Sequence, residues 1–243
     1  MPMTTWGVVA TVAEVGLAWQ SRAFPRLAMD RPRHVAIEGP IGVGKTALAR
    51  VLAERIGGRL VLEQPDENPF LPGFYAHRRK HAFQAQLFFL LSRYQQQQAL
   101  LQQDLFSQST VSDYLFAKDR IFAALTLEPA ELSLYHQVYD LLGPRVARPD
   151  LVVYLQARTD VLLSRIKKRG RDYERGMDPG YLDALAKAYR DFFFHYDDTP
   201  LLVVNTSDID FEVNADDLET LLSVISRHHK GTRHYVPLGT KPG

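Results

Sequence analysis

The residues best suited to chemistry lie at positions 34 to 46, which read His-Val-Ala-Ile-Glu-Gly-Pro-Ile-Gly-Val-Gly-Lys-Thr. The second half fits the pattern Gly, four residues, Gly-Lys-Thr, whose backbone N–H groups cradle phosphate oxygens. This loop consists of Gly39, Pro40, Ile41, Gly42, Val43, Gly44, Lys45 and Thr46. In such loops the lysine reaches the transferable phosphates and the threonine hydroxyl binds Mg²⁺. The pattern therefore predicts ATP as a ligand, with Mg²⁺.

The residues on either side of the loop predict a strand before it and a helix after it. Residues 35–37 form a short apolar run, which is typical of a buried parallel strand. After Thr46 the apolar residues recur at helical spacing until Gly57 and Gly58. A phosphate would then lie at a helix N-terminus, where the helix dipole favours an anion. This context favours a phosphate site over an ordinary glycine-rich turn.

Composition limits the class of protein. A chain of 243 residues can bury a large core, and its net charge of +1 gives no overall field for nucleic acid or an anionic membrane. It contains no cysteine, which excludes thiolate chemistry and fits a reducing compartment. No apolar run approaches the ~20 residues of a transmembrane helix. We therefore expect a cytoplasmic protein that binds neither nucleic acid nor membrane.

Strand and helix patterns alternate along the chain, which predicts a parallel sheet with right-handed crossovers. The expected fold is α/β: a P-loop kinase with a five-stranded parallel sheet flanked by helices and a helical lid. The predicted strands are residues 35–37, 59–63, 109–113, 150–155 and 201–205. The main predicted helices are residues 77–106, 128–142, 159–169 (with Thr159 as N-cap), 178–193 and 216–226.

Three segments are expected along the chain. Residues 31–228 form the catalytic domain, because Met29 to Arg33 would make a natural beginning just ahead of the first strand. Residues 1–30 are interpreted as an N-terminal extension outside the core, and an extra helix packed on the domain is the alternative. Residues 229–243, which contain two prolines and three glycines, are expected to be a loose tail.

Two carboxylates end predicted strands beside the phosphate loop. Glu63 and Asp113 close the second and third strands, so the parallel sheet brings both to the rim that carries the loop. Phosphoryl transfer requires bound phosphates, neutralised charge and a positioned attacking oxygen. We therefore expect one carboxylate to take a proton from an attacking hydroxyl and Asp113, with Thr46, to hold Mg²⁺. The alternative is that each carboxylate caps a helix or forms an ion pair.

Three arginines near a helix end suggest a lid. Arg165 and Arg169 have helical spacing, and Arg171 follows Gly170. On one face they would form a cationic comb that closes over the transferring phosphates. A solvated surface helix is the alternative.

The ordered set of motifs resembles the deoxynucleoside kinases, and within them the deoxycytidine, deoxyguanosine and deoxyadenosine kinase group in a bacterial form. The resemblance covers about residues 33 to 227. The motifs that carry it, besides the phosphate loop, are Glu63-x-Pro65, Phe83-x-x-Gln86, Leu91-Ser92-Arg93, Asp113 with Asp119-Arg120, and Tyr154-Leu155-Gln156 leading to Arg165-x-x-x-Arg169-Gly170-Arg171.

The resemblance implies transfer of the γ-phosphate of ATP to the 5′-hydroxyl of a deoxynucleoside. It implies a homodimer and Glu63 as the base that takes the hydroxyl proton. Other implied catalytic residues are Lys45, Arg165 and Arg169. The implied substrate-binding residues are Glu63, Tyr75, Gln86, Arg93, Asp113, Asp119 and Glu174. The implied ATP-binding residues are the phosphate loop with Arg165, Arg169, Arg171, Asp208, Asp210 and Phe211.

The chemistry of the implied base site bears on the substrate. Gln86 offers a donor and an acceptor together, which suits the edge of a nucleobase. Asp119 can accept a hydrogen bond from an exocyclic amino group, which adenine, guanine and cytosine have and thymine lacks. The bacterial resemblance favours a purine deoxynucleoside over deoxycytidine.

One departure from the family pattern concerns a positive charge. The family often has Glu-Arg-Ser where this chain has Asp113-Tyr114-Leu115, and a tyrosine cannot replace that arginine. Arg78, Arg79 and Lys118 are the candidates to supply the charge, and the sequence does not choose between them.

The nearest rival function is that of a nucleoside monophosphate kinase of the thymidylate kinase type. Glu63 argues against it, because a carboxylate would repel the acceptor phosphate. A regulatory GTPase should carry an Asn-Lys-x-Asp motif, which the sequence lacks.

Overall fold

A computed structural model of the chain describes residues 34–103 and 109–237. Its sheet has six parallel strands in the order β2-β3-β1-β4-β5-β6. The strands are β1 (His34–Glu38), β2 (Arg59–Val61), β3 (Thr110–Ser112), β4 (Leu151–Gln156), β5 (Leu201–Asn205) and β6 (Thr232–Tyr235). Because the strands are parallel, the loops that follow their carboxyl ends share one rim of the sheet.

The helices lie between the strands in the chain. They are α1 (Lys45–Ile56), α2 (Leu71–Ala76), α3 (Arg78–Gln103), α4 (Asp119–Thr126), α5 (Pro129–Leu142), α6 (Thr159–Arg169), α7 (Pro179–Phe194) and α8 (Ala215–Ser226). Short 3₁₀ turns at Pro65–Glu67, Phe116–Lys118, Gly143–Arg145 and Asp172–Glu174 join some of them. None of the described helices is both long and apolar enough to cross a membrane.

The central strands are buried, as their apolar sequences require. In β1 and β4 all residues but His34 and Gln156 are buried, and the apolar ones belong to one large core cluster that also includes residues of most helices. A strand covered on both faces needs such continuous apolar runs. The core therefore fixes the central strands, and with them the rim that carries the loops.

The prediction of five strands is wrong by one. The sixth strand, β6, pairs with β5 and lies within residues 229–243, which we expected to be a loose tail. Three of its four residues are exposed, so its sequence carries no apolar pattern that would reveal it. Backbone hydrogen bonding to β5 holds it at the edge of the sheet.

Two details at element ends differ from expectation. Strand β2 ends at Val61 rather than Glu63, because the backbone N–H of Glu63 donates to Asp113 Oδ1 at 2.7 Å instead of continuing the sheet. The N-cap of α6 is Arg158 rather than Thr159, whose hydroxyl donates to Asp183 Oδ1 at 3.0 Å. The expected end of the long helix at residues 104–106 and the whole of the expected N-terminal extension, residues 1–30, lie outside the described residues.

Candidate active site

A cavity of about 780 Å³ lies at the rim where β1, β2 and β3 end. Residues of the phosphate loop, the loop after β2, α3 and the turn after α6 line it together. Ten of the predicted site residues with polar side chains contribute to the lining: Lys45, Thr46, Glu63, Tyr75, Gln86, Arg93, Asp113, Arg169, Arg171 and Glu174. The cavity therefore combines the expected phosphate and acceptor sites.

The glycines shape the phosphate loop because two of them leave no room for a side chain. Gly44 has φ 101° and is the N-cap of α1, and an added Cβ would lie 2.7 Å from Phe211 Cζ. A Cβ on Gly39 would collide with the carbonyl oxygen of Leu155. Only glycine tolerates both the positive φ and the close contact.

The ammonium group of Lys45 is held inside the loop. It donates to the carbonyl oxygens of Gly39 at 2.7 Å and Pro40 at 3.2 Å. Burial, with the nearby charge of Lys118, lowers the pKa of Lys45 to about 8. Phosphate oxygens would favour the charged form, so this amine is poised to gain a strong ionic partner when a nucleotide binds.

A buried carboxylate that the sequence analysis missed anchors the start of the loop. Glu38 accepts hydrogen bonds from the backbone N–H of Gly39 at 2.8 Å and of Leu115 at 2.7 Å. The hydroxyl of Tyr189 donates to it at 3.0 Å. In the sequence, the position of Glu38 between a buried strand and the first glycine of the loop was the signal that could have indicated this role. Glu38 ties the phosphate loop to the segment after β3.

Thr46 and Asp113 lie in direct contact, as expected for a shared role. The Thr46 hydroxyl donates to Asp113 Oδ2 at 2.6 Å. Both side chains offer the oxygen ligands that Mg²⁺ prefers, and Mg²⁺ commonly takes only one or two protein ligands besides phosphates and water. Accordingly, the described residues contain no group of three or more His, Asp or Glu side chains arranged for a metal. The pair fits Mg²⁺ bound together with a triphosphate.

Glu63 lies between two cations at the centre of the cavity. Arg93 forms a close ion pair with Oε1, and Lys118 Nζ lies 2.8 Å from Oε2. Burial alone would raise the pKa of Glu63, but the charges of Arg93 and Lys118 outweigh it and hold that pKa well below its usual range. Glu63 is therefore ionised at neutral pH, which is the form that can accept a proton.

Arg93 connects this carboxylate to the expected nucleobase site. It is buried, pairs closely with Asp119 as well as Glu63, and stacks over the Phe89 ring at 4.7 Å. Asp119 is fully buried and does not line the cavity itself. Gln86, also buried, lines the cavity on the same helix. Of the expected base-reading groups, Gln86 and Arg93 reach the cavity, and Asp119 lies behind Arg93.

Tyr75 and Glu174, expected at the sugar, lie on one side of the cavity. Glu174 forms a bidentate pair with Arg169, with contacts of 2.6 and 2.7 Å. Tyr75 stacks on Tyr173 at 5.6 Å, and the Tyr173 hydroxyl donates to Asp66 at 2.8 Å. The sequence analysis missed Tyr173, since an aromatic residue between charged ones carries no distinct signal.

Arg165 does not join the expected comb of arginines. Its guanidinium donates to the carbonyl oxygens of Thr206 at 2.8 Å and Ile209 at 2.9 Å, and to the Thr206 hydroxyl at 3.0 Å. It lies outside the cavity lining, whereas Arg169 and Arg171 belong to it. Arg165 and Arg169 lie one helical turn apart on α6, whereas Arg171 lies beyond its end, because the helix ends at Arg169 and Gly170 turns the chain.

The segment expected beneath the donor adenine also lies outside this cavity. Asp208 accepts from Arg158 at 2.9 Å, and Asp210 Oδ1 accepts from the backbone N–H of Glu212 at 3.2 Å. Phe211 is buried against Gly44 of the phosphate loop. This segment adjoins the phosphate loop without lining the cavity.

Comparisons with known proteins show which family this chain resembles. Residues 35–229 match the family model described as deoxynucleoside kinase. The chain is 36% identical over 198 residues to a deoxyguanosine kinase of Bacillus subtilis, covering 79% of this chain and 96% of that protein. It is 30% identical over 205 residues to a deoxyadenosine kinase of Lactobacillus acidophilus, covering 79% and 94%.

A solved structure has the same architecture. Deoxyadenosine kinase from M. mycoides, with products dCMP and a flexible dCDP bound, aligns with a TM-score of 0.66 and 27% identity. The alignment covers 79% of this chain and 96% of that chain. The family match spans the phosphate loop, Glu63 and the turn after α6. Together with the cavity built from those elements, it shows that the chain belongs to the deoxynucleoside kinase family.

Proposed function

We propose that this chain transfers the γ-phosphate of ATP to the 5′-hydroxyl of a purine deoxynucleoside, in nucleotide salvage. The observation that carries the proposal is that one cavity is lined by Lys45 and Thr46 of the phosphate loop and by the ionised carboxylate Glu63. A phosphate donor and a hydroxyl acceptor placed there would meet without a further domain.

The reaction needs positioning and charge stabilisation more than covalent chemistry by the protein. The 5′-oxygen attacks the γ-phosphorus, a new oxygen–phosphorus bond forms, and the bond to the bridging oxygen of ADP breaks. Glu63 accepts the hydroxyl proton, and the electron pair of the broken bond leaves with ADP. Thr46 and Asp113 would hold Mg²⁺, which would neutralise charge on the phosphates when bound. Lys45 and the exposed end of Arg169 add positive charge from the protein.

The acceptor is oriented by the rest of the cavity. Gln86 and Arg93 read the nucleobase, with Asp119 holding Arg93 in place. Tyr75 and Glu174 hold the sugar 3′-hydroxyl once Arg169 turns from Glu174 to the phosphates. The names of the two bacterial relatives, a deoxyguanosine kinase and a deoxyadenosine kinase, favour a purine. We also propose that the enzyme forms a homodimer.

A monophosphate kinase of the thymidylate type is disfavoured by the same geometry. Its acceptor phosphate would lie beside Glu63, and the like charges would repel each other. Arg78 and Arg79, which could have bound such a phosphate, do not line the cavity.

Acceptor specificity tests the proposal. Labelled γ-phosphate is followed from ATP, with Mg²⁺, to each of the four deoxynucleosides and to their 5′-monophosphates. We expect transfer to deoxyguanosine or deoxyadenosine with the highest kcat/KM, and very little to thymidine. Transfer to monophosphates alone would overturn the proposal in favour of the thymidylate kinase type.

A further inference from the structure

Asp113, which directly follows β3, has no cationic neighbour in the sequence. Tyr114 occupies the adjoining position, and its hydroxyl accepts a hydrogen bond from Gln97 Nε2 at 3.2 Å. The ring is buried and packs with Val61 and Leu100. Tyr114 therefore serves packing beneath the cavity and supplies no charge to it.

Two of the three candidate cations lie elsewhere. Arg78 pairs with Asp178 at 3.2 Å and lies 3.9 Å above the ring centre of Tyr181. Arg79 is 92% exposed and lies 3.8 Å from Glu128. Neither side chain lines the cavity that contains Glu63.

Lys118, unlike Arg78 and Arg79, lies beside Glu63 in the cavity. Its Nζ lies 2.8 Å from Glu63 Oε2, its side chain is 3% exposed, and it lines the cavity. The 3₁₀ turn Phe116–Lys118 fixes its backbone, since its N–H donates to the carbonyl oxygen of Leu115 at 3.0 Å. A lysine ammonium loses its hydration when it is buried, so such a placement needs a close carboxylate partner.

Charge balance at the acceptor end depends on this lysine. Four carboxylates and three cations interact there: Glu38, Glu63, Asp113 and Asp119 with Lys45, Arg93 and Lys118. Without Lys118 the excess of negative charge would grow, and it would disfavour the negative charge that develops on the transferring group. The Tyr114 ring, 6.0 Å from both Lys118 Nζ and the Arg93 guanidinium carbon, lies near both cations.

We propose that Lys118 is a positioning residue for the phosphoryl transfer, and that it supplies the positive charge that Tyr114, the residue after Asp113, cannot supply. It holds Oε2 of Glu63 so that the carboxylate faces the acceptor hydroxyl, and its charge stabilises the negative charge that develops on the transferring group. Lys118 gains and loses no proton in the step. The inference rests on the proposed function and adds to it a residue at the same site.

The test separates charge from hydrogen bonding and from packing. Lys118→Met removes the ammonium and keeps most of the stem, Lys118→Gln keeps a hydrogen-bond donor without charge, and Lys118→Arg keeps the charge. Lys187→Met, at an exposed position on α7, is the matched control. Steady-state transfer from ATP to the best purine deoxynucleoside gives kcat and both KM values, and thermal melting reports folding of each variant.

We expect kcat to fall by about 100-fold or more in Lys118→Met and Lys118→Gln, the size seen when one preorganised charge-stabilising group is removed. The KM values should change much less, since Lys118 acts on the reacting end of the acceptor. Lys118→Arg should recover most of the lost kcat, and Lys187→Met should match the wild type.

Three outcomes decide the matter. Unchanged kcat in Lys118→Met, or full kcat in Lys118→Gln, would overturn the role of the charge. A loss of kcat in Lys118→Met that Lys118→Arg leaves unrescued, accompanied by a lower melting temperature, would assign Lys118 to folding and also overturn it. Absence of transfer by the wild-type protein to every deoxynucleoside would instead count against the proposed function, so the two failures are distinguishable.

Discussion

At the scale of single residues, the charge state of Glu63 is set by its neighbours Arg93 and Lys118. Glu63 and Asp113 could be selected from the sequence because both follow apolar strand patterns beside a phosphate loop. The choice of Lys118 over Arg78 and Arg79, and the role of Glu38, could not be read from the sequence. The ion pair from Lys118 to Glu63 joins residues 55 positions apart, and the contact from Glu38 to Leu115 joins residues 77 apart. No local pattern encodes contacts of that separation.

The pH dependence of ATP binding belongs to this scale. Because the pKa of Lys45 is lowered to about 8 by burial and by Lys118, the amine is charged at pH 7 and largely neutral by pH 9 in the free protein. Phosphates favour the charged form, so binding must take up a proton above that pKa. We expect the affinity for ATP to fall by on the order of tenfold per pH unit above pH 8.

Calorimetry at pH 8 in two buffers of different ionisation enthalpy measures the proton uptake. Lys45→Arg is the control, since an arginine stays charged throughout this range. An equally steep fall in that variant, or no proton uptake by the wild type, would contradict the assignment to Lys45.

At the scale of elements, helix α6 and the turn after it divide the arginines between two tasks. Arg165 faces inward to carbonyl oxygens of the segment after β5, whereas Arg171 follows the helix and faces the cavity. The regular spacing in the sequence was consistent with one comb. Spacing alone does not show which side chains contact buried carbonyl groups, as Arg165 does.

This division predicts different effects of two substitutions. Arg165→Met should lower the free energy of unfolding by about 1–3 kcal/mol, because it leaves buried carbonyl oxygens without donors. Arg171→Met should leave the melting temperature near that of the wild type and lower kcat by about ten- to a hundredfold, the loss of one charge-assisted contact to phosphate. Thermal melting and steady-state kinetics on both variants check the pair. Reversed effects would show that Arg165 is the lid residue.

At the scale of the whole molecule, the sequence predicted the central strands and their shared rim but not the edge strand β6. Alternating strand and helix patterns gave a parallel α/β fold with the phosphate loop, Glu63 and Asp113 at one rim. Strand β6 was missed because its exposed residues have no apolar period, and only pairing with β5 defines it. An apolar run in the sequence thus predicts a buried strand, whereas an exposed edge strand is defined only by its pairing with the neighbouring strand.

The long helix α3 and its neighbour α5 carry large apolar side chains on the surface. Leu91 on α3 and Leu134 and Leu141 on α5 are exposed, and the two helices pack on each other. We expect these helices to pair with a second copy, so the protein should sediment as a homodimer at micromolar concentration. The double variant Leu91→Glu with Leu134→Glu should shift it to the monomer, because charges are disfavoured at the centre of an interface. A monomeric wild type would contradict the prediction.

The central claim is that Glu63 accepts the proton of a hydroxyl in the cavity beside the phosphate loop. Turnover of Glu63→Gln, compared with its binding of ATP and deoxynucleoside, tests it most directly. We predict that both ligands still bind while kcat falls by about 100- to 10,000-fold, the range for loss of a general base. A variant that binds both ligands and turns over at the wild-type rate would contradict the account.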